Sequence, residues 1–392
     1  MKKALKILSL TFTVCLICYM LSANVFAIST TDEGLKFKSY GDGTCYLHRS
    51  STYAATDVVI PTHSPEGDTV VCIDDEAFYY HSQIKSITMP DTIVNIGEGS
   101  FAGCSGLTNI IIPNTVTSIS GYAFSACTGL ESITIPSGVT QIGYYSFSYC
   151  DNITSVAIPA SITELGNYVF SFCPRLENIS VDNANTTYHS KSNCIIKTES
   201  KTLMLACKNS VIPSDGSVTN IGEGAFAGCV DLTDITLPDG ITSIGANAFY
   251  DCQNLVSITI PSTVTSIDSG AFSDCKRLEK IYYNGSAEEW NAIVKEDYWD
   301  LGAGESSAEG IYSVECSLSA TDDSTTNTPS TEAPTSENQP TTQASVEQLT
   351  EAPSTNDSKK AAGCGSSVSL LSFSVAIIAT TCTALTINKK DN

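Results

Sequence analysis

Eight copies of a 23-residue unit constrain the fold of this chain more than any other feature. Each unit is too small to bury its apolar side chains alone, so units with a fixed period of about 20 to 30 residues stack on their neighbours. The repeat therefore predicts a mainly β solenoid, a leucine-rich repeat array of eight coils. Three residue types keep the step: Phe78, Phe101, Phe124, Phe147, Phe170, Phe226, Phe249 and Phe272; Pro90, Pro113, Pro136, Pro159, Pro238 and Pro261; and Cys104, Cys127, Cys150, Cys173, Cys229, Cys252 and Cys275.

The unit around Ile110 shows how one coil is built. Ile110 and Ile112 alternate with outward residues, as a strand buried on one face requires, and Pro113 ends the strand because it lacks an N–H. In each unit one position directly follows the second pair of apolar residues, as Ser120 follows Val116 and Ile119. Glycine occupies this position in five of the eight units, which predicts a turn with positive φ. That position holds Asp74, Gly97, Ser120, Gly143, Gly166, Gly222, Gly245 and Asp268.

The units resemble leucine-rich repeats of the BspA type, and LESITIPSGVTQIGYYSFSYC at 130–150 shows the likeness best. The resemblance covers about residues 34–315 and rests on eight in-register copies. It implies N-terminal cap strands in GLKFKSYGDGTCYL at 34–47 and VVIP at 58–61, and a C-terminal cap in IYYNGSAEEWNAI at 281–293. The chain departs from the family pattern at His81, where a cysteine is expected, and after Val181.

The break after Val181 is an insertion at 182–212. Two apolar runs, Cys194–Ile196 and Leu203–Leu205, flank a polar turn and predict a β-hairpin. A structural spacer and a protrusion that contacts a ligand are both open interpretations. Near the end of the array, Ser286 and Glu289 have capping-box spacing, and Trp290, Ile293 and Val294 are expected to form the apolar face of a short helix over the last coil.

The segments outside the repeats predict secretion and membrane attachment. Lys2, Lys3 and Lys6, an apolar run and Val25-Phe26-Ala27 form a secretory signal peptide. Residues 317–360 are rich in Ser, Thr and Pro and cannot bury enough surface to fold. Ser366–Ile387 is uncharged and long enough to cross a bilayer, with Lys389 and Lys390 on the cytoplasmic side. The predicted organisation is a signal peptide 1–27, N-terminal β cap 28–70, solenoid 71–283, C-terminal cap with a short helix 284–316, disordered stalk 317–365, transmembrane helix 366–387 and cytoplasmic tail 388–392.

The seven repeat cysteines recur at one position of each coil, so they form a one-dimensional stack. Buried thiols that donate weakly to the backbone account for them best, since an odd number cannot pair completely. Disulfides between adjacent coils, spaced at about 4.8 Å, remain an alternative. Cys194 and Cys207 would face each other, and a disulfide between them is possible, if Ser200 and Lys201 form a two-residue turn. Among the repeat cysteines there is no Cys-x-x-Cys pair and no neighbouring histidine, so they predict no metal site.

Composition argues against several functions. Lys and Arg are few and scattered, and the net charge is −22, so nucleic acid is not an expected partner and basic patches on a partner are favoured. The acidic residues Asp74, Asp75, Glu76, Glu288 and Glu289 are expected at solvated turns or helix starts rather than as a catalytic pair. There is no Gly-x-Ser-x-Gly motif. We therefore predict no enzyme activity, no catalytic residue, no cofactor and no metal.

Surface recognition is the remaining function. The outward strand positions form a strip of mostly short side chains, and we predict ligand binding there, although β propensity also explains the strip. The resemblance implies a bacterial cell-surface protein that binds host matrix, other bacteria or host cells. The predicted single membrane span at Ser366–Ile387 places the N-terminal region outside the cell. A structural envelope component that binds wall glycan or itself is the alternative. The strip comprises Thr88, Ile111, Thr134, Ala157, Ser180, Thr236, Thr259 and Tyr282.

Overall fold

The computed structural model describes residues 28–31, 34–50, 54–304 and 312–318. These residues form a β-solenoid of about ten turns, and the predicted solenoid is confirmed. The eight repeat units supply the inner turns, and the residues before Asp74 and after Val294 add one turn at each end. The signal peptide, most of the stalk, the membrane segment and the tail lie outside the described residues.

The strands are short because each coil bends three times in 23 residues. In chain order they are β1 Ile28–Thr30, β2 Lys36–Ser39, β3 Thr44–His48, β4 Asp57–Val59, β5 Thr69–Ile73, β6 Ser86–Thr88, β7 Asn95–Ile96, β8 Ser118–Ile119, β9 Gln141–Ile142, β10 Ser155–Ile158, β11 Glu164–Leu165, β12 Asn178–Val181, β13 Tyr188–Lys191, β14 Cys194–Lys197, β15 Thr202–Leu205, β16 Asn220–Ile221, β17 Asp234–Thr236, β18 Ser243–Ile244, β19 Ser257–Ile260, β20 Ser266–Ile267, β21 Lys280–Ser286, β22 Val294–Lys295 and β23 Ser313–Leu318. One helix, α1 Ala287–Ala292, follows β21.

Two sides of the solenoid carry parallel ladders. The first part of each coil gives the strand face, with β4 beside β6, β10 beside β12, and β17, β19, β21 and β23 in order. The middle part gives the second ladder, which runs β5-β7-β8-β9-β11 and then β15-β16-β18-β20-β22. Partners lie 23 residues apart, as in Ala157 opposite Ser180 and Asn95 opposite Ser118, so one sequence repeat is one coil.

The third side, the turn face, covers a stack of phenylalanines. The rings of Phe124 and Phe147 lie parallel at 5.2 Å, and the same stacking runs through each block of coils. His81 meets the first ring edge-on, and Trp299 meets the last ring edge-on. His81 therefore closes the stack where a cysteine was expected, and its Nε2 lies 3.0 Å from the carbonyl oxygen of Ser50 in the N-terminal cap.

The repeat cysteines are free thiols, as predicted. In six of them the Sγ donates to the carbonyl of the phenylalanine in the preceding coil, at 3.0 to 3.3 Å. Cys229, the first after the insertion, is half-buried and has a longer contact to Ala206. Burial raises the pKa of the Cys104 and Cys173 thiols to about 12, so these groups stay protonated and unreactive at neutral pH.

Native protein is therefore expected to resist a thiol-alkylating reagent at these seven sites. After denaturation without reductant, most of the seven should label, because no disulfide blocks them. Mass spectrometry of the two digests measures this directly. Recovery of the repeat cysteines as linked peptides would contradict the prediction.

The predicted positive φ at the recurring glycines is wrong. Gly97, Gly143 and Gly166 lie outside the left-handed region, but a Cβ on any of them would come within 2.4 to 2.6 Å of backbone atoms of the preceding coil. Glycine is needed there for close backbone approach. The left-handed residues lie two and six positions later, as in Tyr145 and Tyr149.

The strand predicted at Ile110 and Ile112 is also only partly correct. Burial alternates as expected, with Ile110 and Ile112 buried and Ile111 exposed. Neither residues 110–112 nor the equivalent 133–135 form ladder hydrogen bonds regular enough to count as strands. In these segments the alternation of buried and exposed side chains is present without regular hydrogen bonds of a backbone ladder.

The insertion forms the predicted hairpin and one further strand. β13, β14 and β15 pair antiparallel, and β15 then pairs parallel with β16, so the insertion rejoins the second ladder. β14 and β15 join through residues 198–201, which is the predicted polar turn, so Ser200 and Lys201 do not form the two-residue turn on which the Cys194–Cys207 disulfide depended. Cys194 and Cys207 are both free thiols.

The C-terminal cap follows the sequence closely. The Ser286 side chain accepts from the Glu289 backbone N–H and the Glu289 carboxylate accepts from the Ser286 N–H, which confirms the capping box. Ile293 is buried just after α1. Val294 was wrongly placed on the helix: it begins β22 and is exposed.

Candidate binding surfaces

The predicted strip lies on the outside of the strand face. Thr88, Ile111, Thr134, Ala157, Ser180, Thr236 and Tyr282 are exposed, and Thr259 is half-buried. Ladder hydrogen bonds bring Thr236, Thr259 and Tyr282 into one row across β17, β19 and β21. Ala157 and Ser180 form a second row across β10 and β12.

The insertion divides this strip into two blocks. Its Asn193 and Ser190 side chains accept hydrogen bonds from the backbone N–H groups of Ile179 and Val181, at 2.8 and 3.0 Å. The outer edge of β12 is thereby occupied, and the next strand of this face, β17, pairs only with later strands. A ligand along the strip must therefore cross the insertion.

The turn face, in contrast, continues from coil five to coil six. The Phe172 N–H donates to the Ala227 carbonyl at 3.3 Å, and the Asn167 amide donates to the Glu223 carboxylate at 2.7 Å. These contacts join residues more than 50 positions apart. The insertion is looped out between them, so the two blocks meet directly on this side.

Tyrosines cover the turn face at the left-handed positions. Tyr122, Tyr145 and Tyr168 form a row in which the rings lie parallel at 5.1 and 4.5 Å, and Tyr149 stacks on Phe172 in a second row. Sequence reasoning missed these rows. Their signal was visible, because the three tyrosines are spaced by 23 residues, two before each core phenylalanine.

The row of Tyr122, Tyr145 and Tyr168 begins at coil three, and a groove lies beside it at coil two. Coil two has Gly99 and Gly103 at its two left-handed positions. Without side chains there, a groove of about 510 Å³ opens between Tyr80 of coil one and Tyr122 of coil three. We call it the aromatic groove; its lining is His48, Arg49, Asp75, Glu76, Tyr79, Tyr80, Glu98, Gly99, Ala102, Gly103, Tyr122, Ser125 and Ala126.

Carboxylates dominate the charge of the aromatic groove. Arg49 pairs with Glu76 at 2.7 Å. The Asp75 carboxylate accepts the Glu98 backbone N–H at 2.7 Å, and Glu98 accepts the Tyr144 hydroxyl at 2.7 Å. That hydrogen bond to a carboxylate, with burial, raises the pKa of Tyr144 to about 12.

The acidic residues weighed as a catalytic pair have structural partners. Asp74 contacts the His48 ring at 2.7 Å, and burial raises the pKa of its carboxyl. Glu76 binds Arg49, and Glu289 caps α1. Within the described ranges, no group of His, Cys, Asp and Glu side chains has the arrangement of a metal site.

Two further observations concern cavities and membranes. A cavity of about 20 Å³ at the junction of coil five, the insertion and coil six holds little more than one water and is too small for a ligand. Among the residues the structure describes, none belongs to a helix with the length and apolar character needed to span a membrane.

The repeat region matches the family described as BspA type Leucine rich repeat region, in six copies over residues 71–198 and 201–294. This match spans more than half of the chain. The chain belongs to the BspA type leucine-rich repeat family. Proteins of this family and fold generally act as non-enzymatic scaffolds that bind proteins. No curated protein matches the chain.

Several solved structures are similar to this chain, and the first of the following shows the same fold. The pneumococcal vaccine antigen PcpA is 18% identical with a TM-score of 0.52, and the alignment covers 71% of this chain and 87% of that one. A leucine rich cell surface protein from Faecalibacterium prausnitzii is 25% identical with a TM-score of 0.35, covering 68% and 98%. The leucine rich repeat protein of T. pallidum is 22% identical with a TM-score of 0.40, covering 64% and 90%.

Proposed function

We propose that this protein is a binding module displayed on the surface of a bacterial cell, and that it contacts an extracellular protein or glycan through its strand face. One observation carries the proposal: the outward residues of successive coils lie in register, as in Thr236, Thr259 and Tyr282, of which Thr236 and Tyr282 are exposed and Thr259 is half-buried. Stacked coils hold this face rigid before a partner arrives, so little ordering entropy is lost on binding.

The shape of the strand face suits an extended partner. Thr134, Ala157, Ser180 and Thr236 have short side chains and stand outward from the coils. Such a surface is flat and offers many small contacts rather than one deep pocket. An extended or repetitive ligand that spans several coils therefore fits it better than a small molecule.

The sequence outside the described residues supports display at the surface. A signal peptide at 1–27 would export the chain, the stalk at 317–365 would hold the solenoid away from the membrane, and Ser366–Ile387 would anchor it. In the alternative function, the same solenoid is a structural component of the cell envelope that binds wall glycan or other copies of itself.

One binding experiment separates the two functions. Purified protein is applied to immobilised host matrix proteins and, in parallel, to isolated cell wall. Saturable binding to a matrix protein supports the surface-binding module, and saturable binding to cell wall alone supports the envelope component. Saturable binding to neither would contradict both.

Replacing Thr134 and Thr259 together with arginine should weaken binding of that partner by about tenfold or more. The two arginines add bulk and charge in separate blocks of the strip, and each single change should have a much smaller effect. Circular dichroism should stay native, because Thr134 is exposed and Thr259 is half-buried. If binding survives the double change but is lost when residues 183–210 are replaced by a short loop, the insertion is the site.

A further inference from the structure

One side of a tyrosine ring in the aromatic groove has no stacked partner, unlike the equivalent ring in the next coil. Tyr145 lies between Tyr122 and Tyr168, so both of its faces are stacked. Tyr122 is stacked by Tyr145 on one side, while its other side faces Gly99. A Cβ built on Gly99 would lie at ordinary van der Waals distance, 3.8 to 3.9 Å, from Glu76, Ala102 and Tyr79, so a side chain fits there. Among the described residues, no ring is stacked on this side of Tyr122.

The walls of the groove hold this open ring in place. Tyr144 meets Tyr122 edge-on at 5.1 Å and donates its hydroxyl to Glu98 across coil three. At the other end Tyr80 lies over Gly103, where a Cβ would come within 2.8 Å of the tyrosine ring. Tyr80 in coil one and Tyr122 in coil three lie two coil spacings apart, about 10 Å along the stack.

The charge of the groove is arranged for a cation. Arg49 is paired with Glu76, whereas Asp75 and Glu98 have no Lys, Arg or His within ion-pair distance in the described part of the chain. Both carboxylates belong to the lining that also holds the open face of Tyr122. An aromatic face attracts a cation within about 6 Å of its centroid, and nearby carboxylates strengthen the attraction.

We propose that the aromatic groove binds a lysine or arginine side chain of a protein partner, at a site separate from the strand face. The cationic group lies against Tyr122, and Asp75 and Glu98 supply the negative charge. The long-range field favours such a partner, because the whole chain carries a net charge of −22.

A neutral sugar fits the groove less well. A pyranose ring would stack on Tyr122, but its hydroxyls need donors as well as acceptors. Arg49, the one guanidinium in the lining, is already held by Glu76. The lining also carries the carboxylates of Asp75 and Glu98, which only accept hydrogen bonds when ionised and whose charge a neutral sugar does not offset.

The probe is a fluorescein-labelled Gly-Arg-Gly-Arg-Gly peptide, measured by fluorescence polarisation against the full chain in mild nonionic detergent. The same peptide with citrulline in place of arginine keeps the shape and removes the charge. We expect the citrulline peptide to bind at least about fivefold more weakly. Binding of the arginine peptide should also weaken as NaCl rises, because salt screens exposed charges.

Matched variants locate the binding in the groove. Tyr122→Leu should weaken the arginine peptide about fivefold, and Tyr145→Leu, at the same repeat position with the same backbone conformation, should not. Glu98→Gln should weaken it about threefold, while Glu223→Gln removes the same charge from the equivalent position outside the groove lining and should have no effect.

Filling the groove is the sharpest test. Gly99→Tyr adds the side chain that coils three, four and five carry at this position, so it continues the tyrosine row and covers Tyr122. It should abolish peptide binding while thermal unfolding changes little, because stacking on Tyr122 offsets the strain of a side chain at the left-handed φ of Gly99. Peptide binding that survives Gly99→Tyr, or equal binding of the citrulline peptide, would overturn the proposal.

The strand-face proposal and the groove proposal can be tested independently. Thr134→Arg with Thr259→Arg should leave arginine-peptide binding intact, and Gly99→Tyr should leave binding of a strand-face partner intact. If instead neutral cellohexaose binds and Gly99→Tyr prevents it, the groove is a glycan site and the proposed cationic partner is wrong.

Discussion

Replacing Phe147 with alanine is expected to lower the free energy of unfolding by about 3 to 5 kcal/mol, the range for a fully buried aromatic side chain. Phe147 has no exposed surface and stacks between Phe124 and Phe170 at 5.2 Å on each side. Alanine would leave a cavity in the middle of the first block. Because each coil contacts only its neighbours, the loss should also weaken coupling between coils three and five.

Urea unfolding followed by circular dichroism measures this effect. Tyr149→Ala is the matched control, because Tyr149 lies two residues further along the same coil and is 45% exposed. Its replacement should cost about 1 kcal/mol or less. An unfolding midpoint for Phe147→Ala equal to that of the unmodified protein would show that this ring is not part of the core.

Deleting residues 361–392 is expected to release nearly all of the protein from cells into the medium. Ser366–Ile387 contains 22 uncharged residues, about 33 Å of helix, which matches the hydrocarbon thickness of a bilayer. After signal cleavage, no other segment of the sequence is comparably long and apolar. Immunoblots of the cell and medium fractions measure the release.

A deletion of equal length in the stalk, residues 321–352, begins after β23, is the control and should leave the protein on cells. If the protein without residues 361–392 stays on cells, the repeats themselves hold it there, through wall or ligand binding. If salt alone extracts the full-length protein, Ser366–Ile387 does not span the membrane.

The sequence alone determined the architecture, because in a solenoid the period of the chain is the period of the structure. Residues 23 positions apart lie next to each other, so the recurrence of Phe124 and Phe147 already described the ring stack. Cys127 and Cys150 were assigned to the interior on the same argument. The capping box at Ser286 was equally readable, since its two partners lie within four residues.

Local features that depend on the neighbouring coil could not be inferred in this way. Glycine at 143 signals either a left-handed turn or a close approach of another backbone, and only the position of Gly121 in the preceding coil shows that the approach is the reason. The path of the insertion could not be inferred from the sequence for the same reason. Whether residues 182–212 interrupt one face or all three depends on contacts such as Phe172 with Ala227, which the repeat does not encode.

The aromatic groove was decided by the tertiary structure alone. The sequence contains the tyrosines at 122, 145 and 168 and the glycines at 99 and 103, but it does not say that they meet on one surface. The left-handed backbone at these positions turns the side chains outward. Stacking then covers both ring faces of Tyr145, whereas the face of Tyr122 beside Gly99 has no stacked ring among the described residues. A local groove of this kind needs such a difference between otherwise equal coils, and the difference appears only when the coils are stacked.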